Sequence, residues 1–189
     1  MGNLELNTAI DFLNQGKLVA YPTEAVWGIG CDPFNQSAVR KILAIKQRPV
    51  KKGLILVAAD ISQISDLVSS LTLAQMELLN STWPGPTTWL IPDERDLYPA
   101  WVKGEHASIA IRVSAHPLIQ SLCERFGRPI VSTSANASGQ TEIRSQSMVE
   151  QQFADNIDYI LPGHIGEQRS PSQIRDLISG DILRYSSNG

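Results

Sequence analysis

The chain has 189 residues, of which 42% are hydrophobic and 19% charged, with a net charge of −3. That length suits one domain or two small ones with a substantial core. The acidic balance argues against a general nucleic-acid coat protein but leaves room for RNA docking on a local basic surface. No stretch approaches the roughly 20 apolar residues that cross a bilayer, and Met1 to Glu5 lack the basic flank and apolar run of a signal peptide. The cytoplasm is therefore the expected location, with no membrane partner.

In chain order, Leu4 to Leu13 reads as a helix stopped by Gly16, and Leu18 to Tyr21 as a short strand ending at Pro22. Helical spacing of Ala38, Val39, Ile42, Leu43 and Ile45 predicts a helix from Ser37 to Lys46, capped by Asn35 or Ser37 and stopped by Pro49. Leu54 to Ala58 is a continuous apolar run, as in a strand covered on both faces. Ile61 to Val68 and Leu73 to Leu79 read as helices, and Thr72 with Gln75 has capping-box spacing.

Trp83-Pro84-Gly85-Pro86 is a rigid turn into a strand at Thr87 to Ile91, and Ile109 to Val113 is a further strand that Arg112 interrupts. A helix from Pro117 to Phe126, a strand from Pro129 to Ser132 and a helix from Ser145 to Phe153 follow. Strands at Asp158 to Leu161, Gln173 to Leu177 and Ile182 to Tyr185 complete the order. Alternating strands and helices with short connections predict an α/β fold, a single domain whose mixed sheet has helices packed on it.

Three features suggest chemistry. Between Asp32 and Asp60 there is no acidic residue but six basic ones: Arg40, Lys41, Lys46, Arg48, Lys51 and Lys52. Lys46 and Arg48 fall where a helix meets a proline, a place suited either to gripping phosphate or carboxylate groups or to complementing the helix dipole in solvent. The strand at Ile130-Val131 opens into Ser132, Thr133, Ser134 and Asn136, with Ser138-Gly139 beyond. Such groups either line a ligand crevice beyond the strand ends or satisfy their own loop backbone. Thr23 and Glu24 lie just past the first strand; Arg112 sits either at a sheet edge or against an anion in a cleft. Arg169 and Arg175 read as surface cations.

Other chemistries lack support. Cys31 and Cys123 are isolated, and His106, His116 and His164 show no metal-ligand spacing, so two buried thiols and no protein metal site are expected. There is no phosphate loop, Gly28-Ile29-Gly30 is only half a dinucleotide fingerprint, and no nucleophile elbow appears. What remains are cations, hydroxyls and amides, which suit phosphoryl and nucleotidyl transfer by positioning and charge stabilisation.

Five segments occur in register: Tyr-Pro-Thr-Glu at 21–24, Lys-x-Arg-Pro at 46–49, Trp-Pro-Gly-Pro-x-Thr at 83–88, Ala-Ile-Arg-Val at 110–113 and Ser-Thr-Ser-Ala-Asn-x-Ser-Gly at 132–139. On these the chain resembles the YrdC-type threonylcarbamoyl-AMP synthase family, in its short single-domain bacterial form without a second C-terminal domain. The resemblance implies a twisted mixed α/β sheet with a basic concave surface. It also implies formation of threonylcarbamoyl-AMP and pyrophosphate from L-threonine, bicarbonate and ATP, with Mg²⁺ accompanying ATP. The product would serve threonylcarbamoyl-adenosine modification of tRNAs reading codons that begin with A, through downstream tRNA threonylcarbamoyl-transfer proteins, and the basic surface would bind tRNA.

Carried over by position, Lys46 and Arg48 would be catalytic. ATP would be held by Lys46, Arg48, Ser132, Ser134, Asn136 and Arg184, and threonine by Thr23, Arg112, Ser134 and Ser172. Ala25, Val57 and the segment after Arg184 depart from the family's common pattern, and no protein ligand for Mg²⁺ can be named. The alternative reading is a non-catalytic module binding tRNA or double-stranded RNA. A carbamoyl-transfer domain like those of hydrogenase maturation factors would have the same fold within a much longer chain.

Overall fold

The computed structural model describes residues 3–137, 140–168 and 170–185. Its helices are α1 (Asn3–Asn14), α2 (Gln36–Ile45), α3 (Ser65–Val68), α4 (Leu73–Asn80), α5 (Ala100–Lys103), α6 (Pro117–Phe126) and α7 (Gln146–Phe153). The strands are β1 (Val19–Pro22), β2 (Trp27–Gly30), β3 (Ile55–Ala58), β4 (Thr87–Pro92), β5 (Ser108–Val113), β6 (Ile130–Ser134), β7 (Tyr159–Ile160), β8 (Gln173–Asp176) and β9 (Ile182–Arg184).

Local signals account for most of these boundaries. Asn35, not Ser37, caps α2, its Oδ1 accepting the Ala38 amide at 3.0 Å. The Thr72–Gln75 capping box starts α4. The stretch expected as one helix from Ile61 to Val68 divides into a 3₁₀ turn at Ile61–Ile64 and α3, and α5 carried no sequence expectation. Two further departures shape the site. β2 was read only as a partial glycine motif, and β6 runs two residues past its expected end to Ser134.

All nine strands join one sheet in the order β7-β1-β2-β6-β3-β5-β4-β8-β9. It is mixed: β1–β7, β3–β5 and β4–β8 pair parallel, and the other neighbours pair antiparallel. Strand alternation then divides the side chains between two faces. One face sends Ala20, Trp27, Ile29, Leu56, Ala58, Trp89, Ile109, Ile111 and Val131 into a continuous core under α2, α3, α4, α5 and α7. The other face sends Val19, Tyr21, Val57 and Ile130 into a smaller core under α1 and α6.

The second core stops short. Farther along the same face, Gly28, Ile55, Leu90, Ala110, Arg112, Ser132, Ser134 and Ile174 line an open cleft. Leu54 to Ala58 is therefore covered on both faces only in part, because Ile55 borders that cleft. Arg112 is not at an edge, since β5 lies between β3 and β4. Cys31 and Cys123 are buried free thiols in the two opposite cores, and burial pushes both thiols up.

Candidate active site

The cleft has a volume of about 470 Å³ and is lined by six cations, Lys46, Arg48, Lys52, Lys103, Arg112 and Arg184. Among the described lining residues Glu142 is the one carboxylate. Such a lining can hold an anion of several charges on a rigid sheet.

Lys46 and Arg48 are spaced by the way α2 ends. Gln47 adopts a left-handed φ of 47°, its amide bonds the Ala44 carbonyl at 3.0 Å, and the Arg48 amide bonds the Leu43 carbonyl at 2.9 Å. That is the Schellman termination, which fixes the direction of the residues on either side of the turn. Lys46 is buried, and its Nζ donates to the Ser134 carbonyl at 2.6 Å, the Asn136 carbonyl at 2.5 Å and Asn136 Oδ1 at 3.1 Å. Ser134 Oγ lies 3.3 Å away. The ammonium thus pins the loop that follows β6 to the end of α2. Burial, then the neighbouring Arg48, lowers the Lys46 pKa to about 8.

Arg48 is held differently. Its Nε donates to the Gly53 carbonyl at 2.9 Å and its Nη2 to the Lys52 carbonyl at 3.1 Å, so the turn at Val50–Lys52 carries the guanidinium. Gly53 has φ 60°, and a Cβ there would stand 2.6 Å from the Lys103 carbonyl, so only glycine lets this turn lie against the end of α5.

β6 supplies Ser132 and Ser134 from alternate positions, both on the cleft side. The hydroxyls of Ser132, Thr133 and Ser134 are thus part of the strand, and the loop begins at Ala135. Asn136 is buried and spans it, its Nδ2 donating to the Gln140 carbonyl at 2.6 Å. Ser138 and Gly139 lie outside the described residues.

Thr23 occupies the turn between β1 and β2, its hydroxyl donating to the Val26 carbonyl at 2.7 Å. Arg112 is the paired alternative of the sequence reading: its Nη1 stands 3.1 Å from Glu24 Oε2. On the far wall Ser172 and Arg184 are in direct contact. Arg184 Nη2 donates to the Ser172 carbonyl at 2.7 Å and lies 3.2 Å from Ser172 Oγ, which shares a 2.8 Å hydrogen bond with Thr88 Oγ1. β8 and β9, paired antiparallel, bring these two residues together.

Every residue assigned a site role, namely Thr23, Lys46, Arg48, Arg112, Ser132, Ser134, Asn136, Ser172 and Arg184, lines this one cleft. Sequence reasoning missed Lys103, His106, Ser108, Glu142 and Gln168, which also line it. Lys103 had no local signal, because its ion pairs with Asp93 (3.3 Å) and Asp96 (2.5 Å) arise from the turn after β4. Arg175 is not the surface cation expected of it: its guanidinium lies 4.7 Å from the Trp89 ring centroid and is partly buried. Arg169 lies outside the described residues. Among the described residues no three His, Cys, Asp or Glu side chains gather to hold a metal, and no helix is long and apolar enough to cross a membrane.

A mixed sheet bearing a cationic cleft over its uncovered half defines the class. The chain belongs to the Sua5/YciO/YrdC family, whose model, described as telomere recombination, matches residues 11–186. It is 51% identical over 172 residues to a Pseudomonas aeruginosa protein named threonylcarbamoyl-AMP synthase, an alignment covering 91% of this chain and 92% of that protein. Among solved structures it resembles P. abyssi Sua5 complexed with L-threonine, with a TM-score of 0.86 and 31% identity over 93% of this chain. The chain spans 52% of that Sua5 chain's length. The fold also recurs in HypF, at a TM-score of 0.81 and 17% identity, where the match covers 28% of the HypF chain.

Proposed function

We propose that this chain is a threonylcarbamoyl-AMP synthase, a nucleotidyltransferase that converts L-threonine, bicarbonate and ATP into L-threonylcarbamoyladenylate, pyrophosphate and water. The observation that carries the reading is the convergence in one cleft of a phosphate-type wall (Lys46, Arg48, Ser134, Asn136) and an amino-acid-type wall (Thr23, Arg112, Ser172). The names of the relatives above support it.

In this reading the ATP phosphates lie against Lys46 and Arg48, with Ser132, Ser134, Asn136 and Arg184 orienting the nucleotide. Thr23, Arg112, Ser134 and Ser172 hold threonine, and Arg112 meets its carboxylate. The amine attacks the carbon of bicarbonate, forming a C–N bond and releasing water to give a carbamate. A carbamate oxygen then attacks the α-phosphorus, and the bond to the pyrophosphate oxygen breaks. Lys46 and Arg48 stabilise the negative charge that develops on the transferring and leaving phosphates. Mg²⁺ would neutralise phosphate charge when bound. The donor set fits it: Glu142 would add one carboxylate to phosphate oxygens and waters, a usual magnesium arrangement.

The adenylate would feed threonylcarbamoyl-adenosine formation on tRNAs reading ANN codons, in the cytoplasm, by way of tRNA threonylcarbamoyl-transfer proteins. Lys51 and Lys52 are exposed on the turn that carries Arg48 and would meet RNA phosphates beside the cleft, whereas Arg40 and Lys41 are exposed on α2, which packs on the sheet's other face. The test is pyrophosphate release assayed with threonine, bicarbonate and RNA each omitted in turn. Release should require threonine and bicarbonate, proceed without RNA and vanish in Lys46→Ala. ATP turnover indifferent to threonine, or a folded Lys46→Ala protein with full activity, would overturn the assignment.

A further inference from the structure

We propose that Glu24 is a positioning residue that holds the Arg112 guanidinium ready for the carboxylate of the amino-acid substrate. This rests on the functional reading above, in which Arg112 receives threonine.

Arg112 is an unusual residue for its place. It sits on an interior strand, 8% exposed, where the helix-covered and open parts of one sheet face meet. Its strand partner across the β3–β5 ladder is Val57, buried in the α1–α6 core, while Arg112 itself lines the cleft. A guanidinium there needs a fixed counter-charge. Glu24, 5% exposed, supplies one.

The carboxylate has its own anchors. Glu24 Oε1 accepts the Ser114 hydroxyl at 2.6 Å and the Ala115 amide at 3.2 Å, and the Ser114 amide is bonded to the Ala58 carbonyl at 3.1 Å. The backbone on the other side is tied as well: the Glu24 carbonyl accepts the Gln168 amide at 3.0 Å, and the Thr23 carbonyl accepts the Gly166 amide at 2.9 Å. Burial alone would raise the Glu24 carboxyl, but Arg112, Ser114 and the backbone amides outweigh it and hold it below the usual range. The group is an anion at neutral pH.

Contact between the two side chains is by charge rather than by a fully aligned hydrogen-bond fork. Glu24 Oε2 and Arg112 Nε are both buried without a hydrogen-bond partner. Glu24 therefore fixes where the guanidinium lies through Nη1, while the guanidinium still lines the cleft, where a second carboxylate would meet it. The cations of the phosphate-type wall are held by backbone carbonyls of other loops and do not depend on Glu24.

Glu24→Gln keeps the shape and an acceptor oxygen but removes the charge. Measured by pyrophosphate release, it should raise the threonine KM about tenfold while the ATP KM stays within about twofold. Ser114→Ala, which removes one tether, should move the threonine KM the same way by less, and Glu24→Asp should recover part of the loss. Placed on Arg112→Gln, the Glu24→Gln change should add nothing further. An unchanged threonine KM in Glu24→Gln, or a rise shared equally by ATP, overturns the proposal. Should Glu24→Gln not fold, Ser114→Ala with a normal threonine KM overturns it. An unmodified protein whose pyrophosphate release ignores threonine would overturn the functional reading instead.

Discussion

The two faces of this sheet use the same strands for opposite ends. On β5, Ile109, Ile111 and Val113 enter a core roofed by five helices, while Ala110 and Arg112, one residue out of phase, face the cleft. On β6, Val131 and Ser132 divide in the same way. The first face is closed along the sheet. The second is closed by α1 and α6 over one half and left bare over the other, and the cationic cleft occupies the bare half. The site is made by omitting a helix over part of a sheet whose register is already secured on its other side.

Stability and activity should therefore separate between the closed core and the cleft. Ile111→Ala opens a cavity in the closed core and should cost about 3–4 kcal/mol, read from urea unfolding, with the KM values of the surviving folded protein unchanged. Arg48→Ala should do the reverse, lowering kcat/KM for ATP about a hundredfold, or roughly 3 kcal/mol, with little change in melting temperature. A loss of stability in Arg48→Ala as large as that in Ile111→Ala would break the comparison.

A pH series sharpens it. The Lys46 ammonium, with its pKa lowered to about 8, is charged below that pH and neutral above it. ATP affinity, measured by calorimetry in the absence of threonine, should hold on the acid side and fall toward tenfold per pH unit above about 8. Lys46→Arg should flatten that limb, because a guanidinium keeps its proton. The smallest effect belongs to the periphery of the closed face: Thr72→Ala removes the α4 cap and should cost about 1 kcal/mol in urea unfolding without altering either KM.

Much of this was legible in the chain. Helical spacing gave α2 and α6 nearly to the residue, and the nine residues assigned site roles, from Thr23 to Arg184, all line one cleft. β2 was missed because its glycines hide the alternation. A Cβ at Gly30 would stand 2.4 Å from the Val131 carbonyl, so close backbone approach in the sheet, rather than phosphate binding, demands the glycine. Glu24 was visible as a carboxylate beyond a strand, but Ser114, which holds it, is 90 residues away. No local pattern reports such a pairing.

By itself the sequence determined where most of the strands run, where α2 must end and which cations flank that end, because apolar runs, periodicity, capping and proline act over a few residues. It also carried, in five ordered segments, the family to which the chain belongs. Only the tertiary structure decided that Lys46 would clasp the loop after β6, that Arg112 would be neutralised by Glu24, and that Ser172 and Arg184 would meet. Those contacts depend on strand order and on where the two helices of the second face stop, and both are set by packing across the whole chain.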